Sequence, residues 1–374
     1  MLLHPDKFGF YQVGDRKTYS KFEAIEWQNT TGIFPEWNFN KVIYDNLDWQ
    51  TEPSVDLWSL YKARARQIRE TYDYVVLWYS GGSDSHNFLL AWLDAGLKID
   101  EIATTWNYEV TGDLHNHYNA EITNVVLPDI ERLKNAGHEF KFRLIDSGKN
   151  IIDLFTDFNL NFEYFVNRHF SLNNPARHTL RDKIDDYRNI IAAGKKLCFV
   201  WGLEKPTLYY DNGHYYTQFT DQFDNVIGPY VQQRFNQGWY DEAFYWTPDM
   251  PSITIKQAHV LKNFVTNIND TQFYQDKPTQ YGYNSTIKKY LTVETVKILL
   301  YPKWNNSIFC NGKAHSMIYS ERDTWFFGSN LAQRERYDNV VATYFKTIGK
   351  FWANDQKDYS KGIKGHVSPR YYLN

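Results

Sequence analysis

The sequence predicts an α/β fold, a parallel twisted sheet flanked by helices, and three observations carry that expectation. Four short apolar runs alternate with segments whose apolar residues recur every three to four positions. The first run, Tyr74-Val75-Val76-Leu77-Trp78-Tyr79, passes through Ser80-Gly81-Gly82-Ser83-Asp84-Ser85 into the mostly apolar Phe88-Leu89-Leu90-Ala91-Trp92-Leu93. Gly96, Gly137 and Gly194 each stand where a helical pattern stops. Strands joined through helices imply right-handed crossovers and a sheet covered on both faces.

Taken in order, residues 1–54 are aromatic and polar without a long periodic segment, and read as an N-terminal extension or cap. Leu57, Leu60, Tyr61, Ala65 and Ile68 then mark an amphipathic helix whose flank carries Lys62, Arg66 and Arg69, a solvated basic face. The second strand runs from Ile99 to Tyr108, and a helix with Ile122, Val126, Ile130 and Leu133 on one stripe follows, kinked or restarted at Pro128. Phe140 to Ile145 alternates as a third strand, Ile151 to Phe158 reads as a short helix, and Leu180, Ile184, Tyr187 and Ile191 mark another. Lys196 to Gly202 forms a fourth buried strand. The Asn212-Gly213 pair between aromatic runs is a β-hairpin signature. Beyond it the alternation ceases, and helical patterns appear at Ile255 to Phe264 and most strongly at Leu331 to Trp352. The expected division is a cap over 1–54, a nucleotide domain over 55–210, and a hairpin with an aromatic-rich, mainly helical specificity region over 211–374.

The junction at Ser80 to Ser85 carries the chemistry. Glycines let the backbone approach a phosphate closely, and the helix start aims N–H groups at it. Neither the GxxxxGK[ST] pattern nor a lysine is present in this loop. Charge on a polyphosphate must then be met by backbone amides, by the hydroxyls of Ser80, Ser83 and Ser85, and by a magnesium ion that Asp84 helps to hold.

The SGGSDS loop between strand and helix resembles the PP-loop of the N-type ATP pyrophosphatases, the superfamily of asparagine synthetase, NAD synthetase, GMP synthetase, tRNA-lysidine synthetase, the tRNA thiolases and phosphoadenylylsulfate reductase. The resemblance spans Tyr72 to about Lys205 and implies a HUP-type, Rossmann-like PP-loop fold. It further implies that Ser80, Gly81, Gly82, Ser83, Asp84 and Ser85 grip the pyrophosphate portion of ATP with Mg2+. It implies too that adenine lies against the end of the second strand, at Thr104, Thr105 and Trp106, although Trp106 reads equally well as core. Ligands of such sheets sit beyond the strand C-termini, which brings Gly202, Glu204 and Lys205 to the same crevice. Glu204 is a metal or substrate ligand there, or a structural carboxylate; its position alone supports both. Tyr301-Pro302-Lys303-Trp304 with Lys313, and the tail with Lys357, Lys361, Lys364, His366 and Arg370, are the cations available to a departing pyrophosphate. Gly362 and Gly365 fit a tail that closes as a loop, against the alternative of a solvated terminus.

Composition prunes the alternatives. At 374 residues with 43 % hydrophobic and 23 % charged residues, the chain builds a substantial core. A net charge of −3 supplies no global field for nucleic acid, so any such contact is local and nucleic acid stays open as a substrate. No apolar stretch approaches the ~20 residues of a membrane span, and a soluble, cytoplasmic protein is expected. Cys198 and Cys310 alone exclude a disulfide framework and a four-cysteine metal site. Cys198 lies in an apolar strand and reads as a small buried hydrophobe. His115, His117 and Glu121 do not make a zinc site, because residues two apart on a helix do not share a face. Aromatic residues reach 18 %, which suits either an aromatic core or a broad amphipathic cleft.

The expected reaction is AMP-forming adenylation: ATP activates a carboxylate or carbonyl of a small-molecule or nucleoside substrate, and an amine or ammonia displaces AMP. Lack of a cysteine pair favours nitrogen as the nucleophile. Leu2 after Met1 departs from the N-terminal cysteine of the asparagine synthetase glutaminase half, so ammonia would come free or from a separate donor protein. Sulfur transfer of the reductase or thiolase kind, with a separate sulfur donor, and a nucleotide-binding module without turnover are the alternatives.

Overall fold

The structure is a computed structural model that describes residues 5–19, 21–106, 112, 119, 121–147, 180–221, 237–268, 285–305, 331–332, 335 and 367–373. At its centre lie β4 (Tyr74–Trp78), β5 (Glu101–Trp106), β6 (Lys141–Asp146), β7 (Leu197–Trp201) and β10 (Trp239–Ala243), paired in the order β10-β7-β4-β5-β6. Every pairing in this sheet is parallel. The chain steps outward from β4 to β5 to β6, then returns to lay β7 on the other side of β4. Direction therefore reverses between β4 and β7, and the crevice beyond their C-terminal ends is the topological switch point.

Four of these strands coincide with the four expected from the sequence. The fifth, β10, comes from beyond residue 211, where no further strand is expected. Its segment Trp239-Tyr240-Asp241-Glu242-Ala243 places two carboxylates in succession, which masks an apolar strand. Both are neutralised by burial partners on opposite faces. Asp241 accepts from Arg181 at 2.7 Å and from the Trp201 indole at 2.6 Å. Glu242 accepts from Arg64 at 2.7 Å and also binds Lys7 and the Tyr72 hydroxyl. Successive strand residues face opposite ways, so these partners show that both faces of the sheet are covered.

On the Glu242 face lie α3 (Leu57–Thr71), which buries Leu60, Tyr61, Arg64, Ala65 and Ile68, and α4 (Ser83–Asp94). The flank residues of α3 are engaged at short range, Lys62 with Asp94 at 3.8 Å and Arg69 with Asp100, while Arg66 is exposed. After β5, a π-helical turn at Ile122–Val126 leads into α5 (Leu127–Asn135), with Pro128 in its first turn, and Gly137 at φ +85° ends the segment. The other face carries α6 (Asp185–Ala192), whose Tyr187 packs on Phe199 at 5.2 Å and donates to Glu101 at 2.5 Å.

The N-terminal segment is a three-stranded antiparallel sheet, β1 (Phe10–Val13), β2 (Arg16–Thr18) and β3 (Glu36–Asn38), with α1 (Lys21–Thr31) and the short α2 (Lys41–Tyr44). The expected hairpin is present as β8 (Tyr209–Asp211) and β9 (His214–Thr217), turning at Asn212 and Gly213 with φ of 49° and 90°. It builds its own sheet with the C-terminal β11 (Tyr371–Tyr372). Phe39, Tyr44, Trp49, Phe219, Trp246 and Tyr371 join these parts in one buried cluster, with Trp49 and Tyr371 stacked 4.6 Å apart. This cluster shows where part of the aromatic excess goes: into the core between segments. Among the described residues three more helices follow β10: α7 (Ser252–Thr266), α8 (Ser285–Tyr290) and α9 (Val293–Leu300). Among the described residues no helix is long and apolar enough to cross a membrane.

Candidate functional site

The loop sits at the switch point. Tyr79 donates its amide to Ala103 at 2.8 Å, and Thr104 donates its hydroxyl to the Tyr79 carbonyl, so β5 fixes where β4 ends. Gly81 then turns at φ +78°, a conformation that favours glycine, and a methyl group on it would stand 3.0 Å from Val126 and 3.2 Å from the Glu121 carbonyl. Gly82 begins α4 in an extended conformation without offering a capping side chain. Anions favour such a start because the first-turn N–H groups have no intrahelical acceptors.

The serines have different jobs. Ser85 donates to the Gly82 carbonyl at 3.0 Å, accepts from the Ser80 amide at 3.2 Å, and lies 3.1 Å from the Ser80 hydroxyl. Ser80 also accepts from the Gly82 amide at 3.3 Å. These bonds knit the loop from within; Ser83 and Ser85 are buried, Ser80 partly so. Beneath the loop, Tyr79 donates to Asp129 at 2.8 Å and lies 2.9 Å from His86 Nδ1, itself 3.1 Å from Asp129. Burial pushes the Asp129 carboxyl up, but bonds from His86, Tyr79 and Arg132 more than offset this and hold it down at about 2.

Asp84 is the electrostatic centre. Its carboxylate, about a quarter exposed, forms an ion pair with Lys205 and accepts from the Tyr301 hydroxyl, both on Oδ1. Its carbonyl accepts from Tyr245 at 2.8 Å, and Asn87 donates to that same Tyr245 hydroxyl at 2.9 Å. Desolvation pulls the Lys205 pKa down, yet attraction to Asp84 and Glu204 outweighs it and the net shift is upward. Lys205 therefore carries a full positive charge at neutral pH. Burial, followed by the charge of Asp84, drives the Tyr301 phenol well above its usual range, which keeps it protonated and a donor.

Ser80, Gly81, Gly82, Ser83, Asp84 and Ser85 form one loop, and Gly202 lies against it. Glu204 is part-buried and close enough to Lys205 to raise its pKa. Thr104 is buried with its hydroxyl spent on the Tyr79 carbonyl, while Thr105 and Trp106 are part-buried at the end of β5. Lys361, Lys364 and Cys310 lie outside the described residues, as do Lys313, His115, His117, the 151–158 segment and most of 331–352. Lys303 is a correction: it pairs with Asp94 at 2.9 Å, at the far end of a 12-residue helix and so roughly 18 Å from the loop. The loop does have a lysine beside it, Lys205, supplied from the end of β7. Tyr245 and Tyr301 carry no local motif, and only the fold brings them to Asp84.

Among the described residues no group of three His, Cys, Asp or Glu side chains is assembled. An all-protein cage is thus not built there, but Mg2+ commonly takes one or two carboxylates and completes its shell with waters and phosphate oxygens. Asp84 and Glu204, on the two sides of the switch point, fit that mode. Compared with known proteins, the chain matches no family model and shows no significant similarity to any curated sequence, so its functional reading rests on the residues of this crevice.

Proposed function

We propose that the protein is an ATP-dependent, AMP-forming adenylating enzyme that binds the nucleotide at the Ser80–Ser85 loop. The observation that carries this reading is the position of the loop: a glycine turn opening a helix at the reversal point of a parallel sheet, with Lys205 beside it. The five central strands, numbered in chain order, run 3-2-1-4-5, the first five of the doubly wound nucleotide-binding order.

In this reading the amides of Ser83, Asp84 and Ser85, the first turn of α4, face the β and γ phosphates, and the ammonium of Lys205 moves from Asp84 to a phosphate oxygen. Asp84 and Glu204 would hold Mg2+, which would supply charge neutralisation for the leaving group. An oxygen of the acceptor's carboxylate or carbonyl attacks the α-phosphorus, the bond from that phosphorus to the β-bridging oxygen breaks, and pyrophosphate departs with the electron pair. An amine or ammonia then attacks the activated carbon, AMP leaves, and the nitrogen sheds a proton. What the residues contribute is positioning and preorganised charge. The resemblance of the loop to the PP-loop supports cleavage at the α-phosphorus. The reading places the protein in the cytoplasm, where ATP is available, with a small acid, nucleoside or base as acceptor.

Incubation with α-labelled ATP, Mg2+ and a panel of carboxylates and amines tests it. AMP and pyrophosphate are expected, and ADP would refute the assignment. Bound nucleotide without turnover would favour a binding module, a reading that the neutralised state of Asp84 also fits.

A further inference from the structure

Tyr301 reaches the loop from a part of the chain 217 residues away, and it arrives as a built contact. Its hydroxyl donates to Asp84 Oδ1, the same oxygen that Lys205 binds. The side chain is 1 % exposed and packs 5.7 Å from the Tyr245 ring. Its backbone is anchored as well. Gln257 on α7 donates to the Tyr61 hydroxyl at 2.9 Å, and Tyr61 on α3 donates to the Leu300 carbonyl at 2.9 Å. The Tyr301 amide closes α9 on Lys297 at 2.9 Å. Three helices thus fix where one phenol proton points, and it points at the carboxylate of the phosphate loop. Two donors converging on one carboxylate oxygen fix the plane of the group, and charge-assisted bonds of this kind are the strong ones.

We propose that Tyr301 is a positioning residue that sets the orientation of the Asp84 carboxylate for a magnesium–nucleotide complex. It makes the segment ending α9 part of the nucleotide site. This inference rests on the adenylation reading, and goes beyond it in assigning a role to a residue outside the loop and its resemblance.

The test is calorimetric binding of α,β-methylene ATP, whose P–C link cannot be cleaved, to wild type and Tyr301→Phe, each in excess Mg2+ and in EDTA. Tyr301→Phe keeps the ring and removes the hydroxyl. Loss of one hydrogen bond to a charged group predicts binding about tenfold weaker in Mg2+. Binding in EDTA should stay within about twofold, because the phenol acts through the carboxylate that meets the metal. Equal weakening in both buffers would mean that Tyr301 only supports packing, and no change in either would mean that it does nothing for the site; both results overturn the inference while leaving the nucleotide reading standing. Wild type that binds no analogue in either buffer overturns the reading itself, and the inference with it. Should Tyr301→Phe fail to fold, Tyr61→Phe loosens the same anchor one step further back. It predicts a loss of about threefold confined to Mg2+, and an unchanged affinity refutes the proposal.

Discussion

Gly202 lies against the start of α4 so closely that a methyl group on it would stand 2.9 Å from the Asp84 carbonyl carbon and 3.0 Å from the Ser85 amide nitrogen. Both atoms are backbone, so neither can swing aside. The end of β7 and the start of α4 are therefore in contact, and the bare backbone at 202 keeps the switch point narrow.

Gly202→Ala should accordingly displace the first turn of α4. Overpacking of this kind costs roughly 1–3 kcal/mol, which urea denaturation would read as a lower midpoint at unchanged slope. In the proposed site the first-turn amides of α4 meet the phosphates, so nucleotide affinity should fall more than stability does. A variant with full affinity would show that the loop amides do not make the contact.

Asp84 and Lys205 should respond in opposite senses to charge removal. Without Mg2+, Lys205→Met deletes a cation and should weaken ATP-analogue binding about tenfold, whereas Asp84→Ala deletes an anion and should bind as well as wild type or better. With Mg2+, Asp84→Ala should abolish turnover while the fold persists. Since both side chains are about a quarter exposed, the pair contributes little to stability, and the thermal midpoint should move by a few degrees at most. Retention of the full rate in Asp84→Ala would remove the metal from this residue.

What was legible in the sequence follows from locality. The glycine loop, the four apolar strands, the Asn212-Gly213 turn and the buried Cys198 each depend on neighbours within a few residues, and each is found where expected. β10 carries no local signal, because the successive charges of Asp241 and Glu242 break its apolar run and the residues that meet them, Arg181, Arg64 and Lys7, come from distant segments. Lys205 was placed near the crevice by its strand, yet its pairing with Asp84 depends on strand order. Tyr301 lies in a segment read as a source of cations, and its contribution is a phenol.

Asp129 gives the loop support a pH dependence with a definite sign. Its carboxyl is held at about 2, below the ordinary value near 4, so the folded state binds the proton less well than the unfolded chain. The stabilisation is complete above about pH 4 and is lost as pH falls towards 2. At 1.36 kcal/mol per unit the shift corresponds to about 2 kcal/mol. Asp129→Asn should therefore differ from wild type most at neutral pH and converge with it near pH 2. A difference that persists undiminished at pH 2 would mean that the residue acts through packing and not through its charge on Tyr79, His86 and Arg132.

The cluster around Glu242 predicts the largest stability effect. Glu242 and Arg64 are wholly buried, Lys7 and Asp249 nearly so, and the four make two cations and two anions, with Asp249 3.8 Å from Lys7 and 4.0 Å from Arg64. Burial pushes the Glu242 carboxyl up, but Lys7 and Arg64 pull it below its ordinary range, so it is ionised. Glu242→Gln removes one anion and leaves the buried group with an excess positive charge, which should cost roughly 3–5 kcal/mol in urea denaturation. Lys7 belongs to the N-terminal segment, so the same variant should expose residues 5–19 to protease. Adding Lys7→Met restores charge balance with Arg64 facing Asp249. The double variant should therefore be more stable than Glu242→Gln alone, a non-additivity that only a shared charge network produces. If the two losses simply add, Lys7 and Glu242 do not depend on each other, and the N-terminal sheet is held by its aromatic contacts instead.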